Sequence, residues 1–218
     1  PQWAGFWALA TLPFLVWGIG AARRKTSGSA ALRLLLAMAG ALALVLSALK
    51  LPSVAGSCSH PTGVALGAIL FGPLPMVAMA TIVLVFQALL LAHGGLTTLG
   101  ANVFSMGIVG PFVAWALHRL GRRFHAGDLW AVGCAAALSD LATYAATSFQ
   151  LAFAFPDPAG GVWVSAAKFL GVFMVTQIPL AAFDGLVAAG AFAMLARHAG
   201  EEIRMLGLQH LHAREAAA

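Results

Sequence analysis

Long runs of apolar residues, separated by short joints that contain Gly, Pro and Ser, follow one another along most of the chain. Most runs hold about 20 residues, which is the length of a helix that crosses the hydrocarbon core of a bilayer. Gly and Pro in the joints are typical of helix boundaries. The pattern predicts seven helices, over residues 3–22, 30–49, 63–71, 74–92, 100–120, 129–153 and 162–196.

The third predicted helix, 63–71, is much shorter than the others. It would rise only about 14 Å, whereas the hydrocarbon core is roughly 30 Å thick. We therefore expect only a partial crossing at this position. The predicted fold class is an all-α polytopic membrane protein with about seven transmembrane helices, one of them short.

Basic residues lie in alternate joints and near the carboxyl end, while the other joints carry almost no charge. By the positive-inside rule, this asymmetry predicts an amino end outside and a carboxyl end in the cytoplasm. We expect residues 1–196 to form a single transmembrane domain and residues 197–218 a cytoplasmic tail. The basic residues that set this orientation are Arg23, Arg24, Lys25, Arg119, Arg122, Arg123, Arg197, Arg204 and Arg214.

Composition sharpens the class of protein. Hydrophobic residues make up 61% of the chain and charged residues 9%, and the mean hydropathy is +0.91, values that exclude an ordinary soluble domain. The net charge of +5 follows from loop placement, so we expect membrane lipid and no nucleic acid as a partner. The sequence contains no GxxxxGK[ST], HExxH or GxSxG motif, so it carries no signature of a P-loop ATPase, a zinc protease or a serine hydrolase.

Two polar joints fall on the predicted outer side, and we expect them to form one pocket. His60 is the candidate metal ligand, because neutral imidazole is the commonest ligand for borderline transition metals. The alternative is a loop histidine that merely bonds a carbonyl group. Other pocket or second-shell candidates are Ser57, Ser59, His93, Asn102 and Gln87, of which Asn102 and Gln87 are equally compatible with interhelical hydrogen bonds.

Charged residues inside the predicted helices need partners, since each is expensive in lipid. Counting the helix rise places Asp140 and Lys168 at matching depths on adjacent antiparallel helices, which predicts an intramembrane pair. The same count places Asp184 at the cytoplasmic interface. An alternative function for Asp140, Lys168 and Asp184 is proton relay in a proton-coupled secondary metal carrier.

Three stretches carry a family resemblance: SCSHPTG at 57–63, GAILFGP at 67–73, and QALLLAHGGLTTLGANVFSMGIVGP at 87–111. A later echo runs from Gln177 to Leu186. Together they closely resemble the CbiM family, the substrate-binding (S) components of cobalt energy-coupling-factor (ECF) transporters. The likeness covers most of the chain, and the 87–111 block is far more specific than a single histidine. Nickel-type relatives differ around the loop histidine, which favours cobalt over the nickel-specific alternative.

The resemblance implies a subunit that binds Co2+ as the transported substrate, without a permanent cofactor, in the bacterial cytoplasmic (inner) membrane. It implies a transmembrane coupling subunit, CbiQ, a separate ATPase, CbiO, and a small membrane protein, CbiN, with the metal supplying cobalamin biosynthesis. The chain itself would then be a transport subunit and not an enzyme.

The resemblance also implies a ligand set. In the family, the free amino terminus, a histidine after the initiator Met and the histidine of the SHPTG loop hold the metal in a planar, nitrogen-rich site. Of these ligands, His60 carries over to this sequence, which begins at Pro1. We therefore expect a site that needs an amino-terminal segment for completion.

Overall fold

The computed structural model describes residues 2–52 and 58–208. In this part of the chain the helices are α1 (Gln2–Thr26), α2 (Ala30–Ala48), α3 (Val64–Phe71), α4 (Pro73–Leu90), α5 (Leu99–Asn102), α6 (Gly110–Arg123), α7 (Asp128–Ala154), α8 (Gly161–His198) and α9 (Gly200–Met205). A π-helix, Val103–Val109, joins α5 to α6.

Six helices are long and apolar enough to cross a membrane: α1, α2, α4, the continuous segment Leu99–Arg123, α7 and α8. With the short α3 they correspond to the seven predicted helices. The prediction of an all-helical membrane protein with six to seven crossings, one of them short, is confirmed. The orientation of the helices in the membrane stays a prediction.

Local sequence explains several helix ends. Ser29 caps the amino end of α2, where its Oγ accepts a hydrogen bond from Leu32 N at 3.2 Å. Pro73 and Pro111 lie in the first turns of α4 and α6, where the missing N–H leaves no helix bond unmade. Arg23, Arg24 and Lys25 occupy the last turn of α1, where positive charge interacts favourably with the helix dipole.

The short helix α3 lies inside the bundle. All eight of its residues are buried, and it packs against α2, α4, α6, α7 and α8. An eight-residue helix in lipid would leave polar backbone groups at its ends without partners. Enclosure by longer helices removes that penalty, so α3 is an interior element and not a lipid-facing crossing.

A small antiparallel ribbon, β1 (Leu51–Pro52) and β2 (Cys58–Ser59), precedes α3 and was not predicted. Its register pairs Leu51 with Ser59. Because β2 leads directly to His60, the ribbon fixes where the following loop enters the bundle.

The carboxyl end of the described chain is more ordered than a plain tail. Helix α8 continues to His198, and α9 buries Ile203 completely. Leu206 and Leu208 then pack on the apolar core. The division at residue 196 into a transmembrane domain and a tail stays a prediction.

Candidate functional site

The loop that carries His60 dips into the bundle, and His60 is only 5% exposed. Its backbone N–H donates to the Tyr144 hydroxyl at 3.0 Å. Its carbonyl oxygen accepts from Gln177 Nε2 at 3.3 Å and from the Tyr144 hydroxyl at 3.3 Å. Helices α7 and α8 therefore hold the backbone of this loop from two sides.

The imidazole of His60 is fixed in one tautomer. Nδ1 lies 2.9 Å from the carbonyl oxygen of Pro61, and since a carbonyl oxygen can only accept, Nδ1 carries the proton. Burial lowers the pKa of His60 to about 4, against the opposing effect of the Pro61 hydrogen bond. The ring is thus neutral near pH 7, and its Nε2 retains a lone pair for a ligand.

A cavity of about 310 Å³ opens beside this ring. It brings together four of the predicted site residues, namely His60, His93, Gln87 and Asn102. The His60 and His93 rings meet edge to face, with centroids 4.7 Å apart. Burial, followed by the charge of Lys50, lowers the pKa of His93 as well.

The two predicted serines do not join this group. Ser59 is fully buried, and its hydroxyl lies 2.7 Å from the Thr176 hydroxyl on α8, so it anchors the ribbon. Ser57 lies outside the described residues. Cys58, a free and half-buried cysteine, does line the cavity.

The π-helix supplies part of the opposite wall. Its wide turn brings Ser105 and Met106 to the cavity, and Gln87 Nε2 lies 4.0 Å from the sulfur of Met106. Single π turns inside α-helices are frequent at functional sites. Neither the π-helix nor these two wall residues had a signal in the apolar pattern.

Sequence reasoning did not predict how buried side chains of α7 and α8 support the loop. Thr62 N–H donates to Asp140 Oδ1 at 3.1 Å, and its hydroxyl donates to Asp184 Oδ2 at 3.1 Å. Gly63 N–H donates to the same Asp184 oxygen at 3.2 Å. Asp140 also accepts from Gln177 Nε2. Both carboxyl groups are fully buried, and together they fix the orientation of the loop from the interior of the bundle.

The predicted pair of Asp140 and Lys168 is wrong. The side chain of Lys168 is 67% exposed and pairs with Asp157 in the loop before α8. This hydrogen bond, with N–H donors from Gly160 and Ala159, lowers the pKa of Asp157 to about 2. Depth counting failed because α8 has 38 residues and is about 57 Å long, so its first residue does not mark the membrane surface.

The predicted membrane depth of Asp184, at the cytoplasmic interface, stays a prediction. Asp184 is 0% exposed and lies beneath the His60 loop, where it contacts Thr62 and Gly63. The loop and α3 reach far into the bundle, which brings the two acidic residues to one place. They are structural partners of the SHPTG loop.

Gly63 is required by geometry. Its φ of +64° lies in the left-handed region, and an added Cβ would come within 2.7 Å of Ala43 Cα on α2. Backbone cannot move aside as a flexible side chain can. This glycine therefore allows the loop to turn into α3 directly against α2.

Within residues 2–52 and 58–208, no group of three or more His, Cys, Asp or Glu side chains converges to hold a metal ion. His60 and His93 are the two imidazoles that line the cavity. The geometry therefore offers one or two nitrogen ligands beside open volume, which suits a metal that receives its remaining ligands from elsewhere.

The chain is similar to known cobalt transport proteins. A "Cobalt transport protein CbiM" from Moorella thermoacetica is 54% identical over 207 residues, covering 95% of this chain and 80% of that protein. One from Chlorobium limicola is 54% identical over 201 residues, covering 92% and 79%. A crystal structure described as a truncated transition metal transporter matches with a TM-score of 0.79 at 22% identity, covering 91% and 95% of the two chains, and supports the fold.

The sequence profile of CbiM, described as the cobalt uptake substrate-specific transmembrane region, matches residues 1–202. That is most of the chain, and it confirms the family resemblance of the SHPTG loop and the 87–111 block. The chain belongs to the CbiM family and is the substrate-specific transmembrane component of cobalt uptake, a multi-pass membrane transport subunit.

Proposed function

We propose that this protein captures Co2+ in the His60 cavity, with Nε2 of His60 as a direct ligand. The observation that carries the proposal is the state of that ring: Nδ1 is committed to the Pro61 carbonyl, and burial keeps the imidazole neutral. Metal-binding histidines typically donate their other ring N–H to a carbonyl or carboxylate. A loop histidine that only bonds a carbonyl group would not require a buried ring with its second nitrogen directed at a cavity.

His93, Asn102 and Gln87 serve as pocket or second-shell groups in this proposal. His93, whose ring centroid lies 4.7 Å from that of His60, is the candidate for a second ligand, whereas the two amides offer carbonyl oxygens and N–H groups. The family's amino-terminal ligands would complete the coordination. Since affinities at nitrogen sites rise from Co2+ to Ni2+, preference for cobalt over nickel depends on geometry or on coupling to transport.

The transport cycle needs chains beyond this one. The printed sequence has no P-loop, so we assign ATP hydrolysis to CbiO, coupling to CbiQ and an accessory role to CbiN. The bundle is oriented with the His60 cavity outside and residues 197–218 in the cytoplasm of a bacterial inner membrane. The positive-inside distribution supports this orientation, and delivery to cobalamin biosynthesis follows from the family.

Cobalt uptake and binding test the ligand role. His60→Ala should abolish uptake in cells that co-express the partner subunits, and should weaken Co2+ binding by the purified protein at least about tenfold. His198→Ala is the matched control, because His198 is exposed on the last turn of α8. Uptake by His60→Ala equal to that of His198→Ala would refute the proposal, and faster uptake of labelled Ni2+ than of labelled Co2+ by the wild-type complex would assign the site to nickel.

A further inference from the structure

A second and larger cavity, of about 800 Å³, lies at the end of the bundle opposite His60. The ends of α1 and α3, the start of α4, one side of α6 from Phe112 to Arg122, and residues 206–208 form its walls. Four basic side chains line it, namely Arg24, Lys25, Arg119 and Arg122. In the described part of the chain, its lining includes no Asp or Glu.

Most of this charge is not neutralised internally. Arg122 pairs with Asp128, but among the described residues Arg24, Lys25 and Arg119 have no carboxylate within ion-pair distance. The Arg119 guanidinium lies 4.2 Å from the centre of the Trp115 ring, a stacking that restricts its orientation. The cavity therefore presents a positive rim with one guanidinium already positioned.

The interior of the same cavity is apolar. Ile69, Leu70 and Phe71 are buried side chains of α3 that face it, and Leu74 and Phe112 extend the wall. A ligand that fills the cavity must then combine an anionic group with an apolar body. Inorganic phosphate, which is only a few times larger than a water molecule of about 30 Å³, would leave the apolar wall in contact with solvent.

The position of the rim favours a lipid. Arg24 and Lys25 lie in the last turn of α1, a helix long enough to cross the membrane. Beside the rim, Leu120 is 48% and Phe124 is 75% exposed, so an apolar outer surface continues to the level of these charges. Lipid headgroups meet membrane helices at this level.

We propose that this cavity binds an anionic phospholipid, with its phosphate on Arg24, Lys25 and Arg119 and its acyl region along the α3–α4 wall. Arginine binds phosphate oxygens through paired N–H donors. Basic pockets between transmembrane helices are suited to such headgroups. The site is separate from the metal cavity, so it does not depend on the assignment of His60.

Native mass spectrometry of the full chain, released from nanodiscs of phosphatidylcholine with a minority of phosphatidylglycerol, tests the site. The variant R24Q/R119Q should bind phosphatidylglycerol about 25-fold more weakly, since each basic residue near a lipid surface contributes about fivefold. The control R23Q/R123Q removes the same charge from neighbouring residues outside the cavity lining and should retain the lipid.

A variant that keeps every charge distinguishes binding in the cavity from a general effect of surface charge or from misfolding. Leu74→Trp narrows the cavity while leaving every basic residue in place, and should reduce phosphatidylglycerol retention at an unchanged unfolding temperature. Equal retention by R24Q/R119Q and wild type, or equal loss in R24Q/R119Q and R23Q/R123Q, would overturn the proposal. Displacement of the lipid by millimolar inorganic phosphate would also overturn the proposal, because it would assign the site to a free anion. Binding of an oligoglutamate peptide in the cavity, without retention of lipid, would overturn it in favour of a protein partner.

Discussion

The two cavities at opposite ends of the bundle use charge in opposite ways. The described lining of the His60 cavity contains neutral rings, amides and hydroxyls, with its carboxyl groups one layer behind, where Asp140 and Asp184 hold the loop. The cavity at the other end has its charges at the exposed rim and apolar residues inside. The His60 cavity thus holds its lining groups in a rigid geometry, whereas the basic cavity can attract an anion over a longer distance.

This difference predicts where substitutions will be damaging. At the His60 end the Thr62 and Gly63 N–H groups and the Thr62 hydroxyl donate to buried carboxyl groups, so removal of one carboxyl group leaves buried donors unsatisfied. At the basic end the side chains reach solvent, and a lost charge changes binding with little effect on folding. The substitutions below test the sensitivity of the His60 end, and R24Q/R119Q, which should unfold at the wild-type temperature, tests the tolerance of the basic end.

The largest effect is expected for Asp184→Ala. It leaves Thr62 O–H and Gly63 N–H buried without an acceptor, and two such groups cost about 2–6 kcal/mol. The unfolding midpoint in detergent should fall strongly, and Co2+ affinity should fall with it. Asp184→Asn, which keeps one oxygen acceptor, is the control and should be milder. Equal stability of Asp184→Ala and wild type would show that the loop does not depend on this carboxyl group.

Gly63→Ala should be the next most damaging change. The positive φ and the close approach to Ala43 together cost about 2–5 kcal/mol. The unfolding midpoint of the purified protein measures this. Gly171→Ala on α8 is the matched control, because an added Cβ there meets nothing within 4 Å. If both variants unfold at the same temperature, the tight turn has no energetic importance.

Tyr144→Phe should have an intermediate effect. It removes the acceptor of the His60 N–H, which costs about 1–3 kcal/mol, and it loosens the backbone that aims the imidazole. A decrease in Co2+ affinity of about tenfold is expected, measured by titration calorimetry. Because Tyr144 also lines the cavity, Thr147→Val provides a control for loss of a lining hydroxyl alone. A similar affinity in both variants would contradict the positioning role.

The smallest effect is expected for Lys168→Gln. The pKa of Asp157 is lowered to about 2 chiefly by Lys168, so its contribution to stability is present above the ordinary pKa of about 4 and is lost as the pH falls toward 2. The variant should be less stable than wild type above pH 4, this difference should disappear as the pH falls toward 2, and cobalt uptake at neutral pH should not change. Loss of uptake would instead support the proton-coupled carrier, in which Lys168 takes part.

Most of the fold could be predicted because lipid imposes length and apolarity on each crossing helix. The helix 74–92, for example, was predicted to within two residues of α4 (Pro73–Leu90). The ribbon Leu51–Pro52 with Cys58–Ser59 left no such signal, since two-residue strands are too short to show alternation.

The site was predictable only where chemistry was concentrated in a few residues. His60 and His93 stand out as imidazoles in charge-poor joints, and the structure places their rings together. The roles of Thr62, Tyr144 and Gln177 depend on how deeply the loop enters the bundle, which no local pattern encodes. The error at Lys168 came instead from counting depth along α8, whose 38 residues are more than one membrane crossing needs.

Helix α3 has a consequence for permeability. Thr62, just before its first residue, lines the His60 cavity, and Phe71, its last residue, lines the basic cavity. Between them lie about 12 Å of continuous apolar side chains, and a bare divalent ion would pay tens of kcal/mol to enter such a medium. Residues 64–71 therefore form an apolar barrier between the two cavities, and a bare ion cannot cross along α3 while these side chains stay packed.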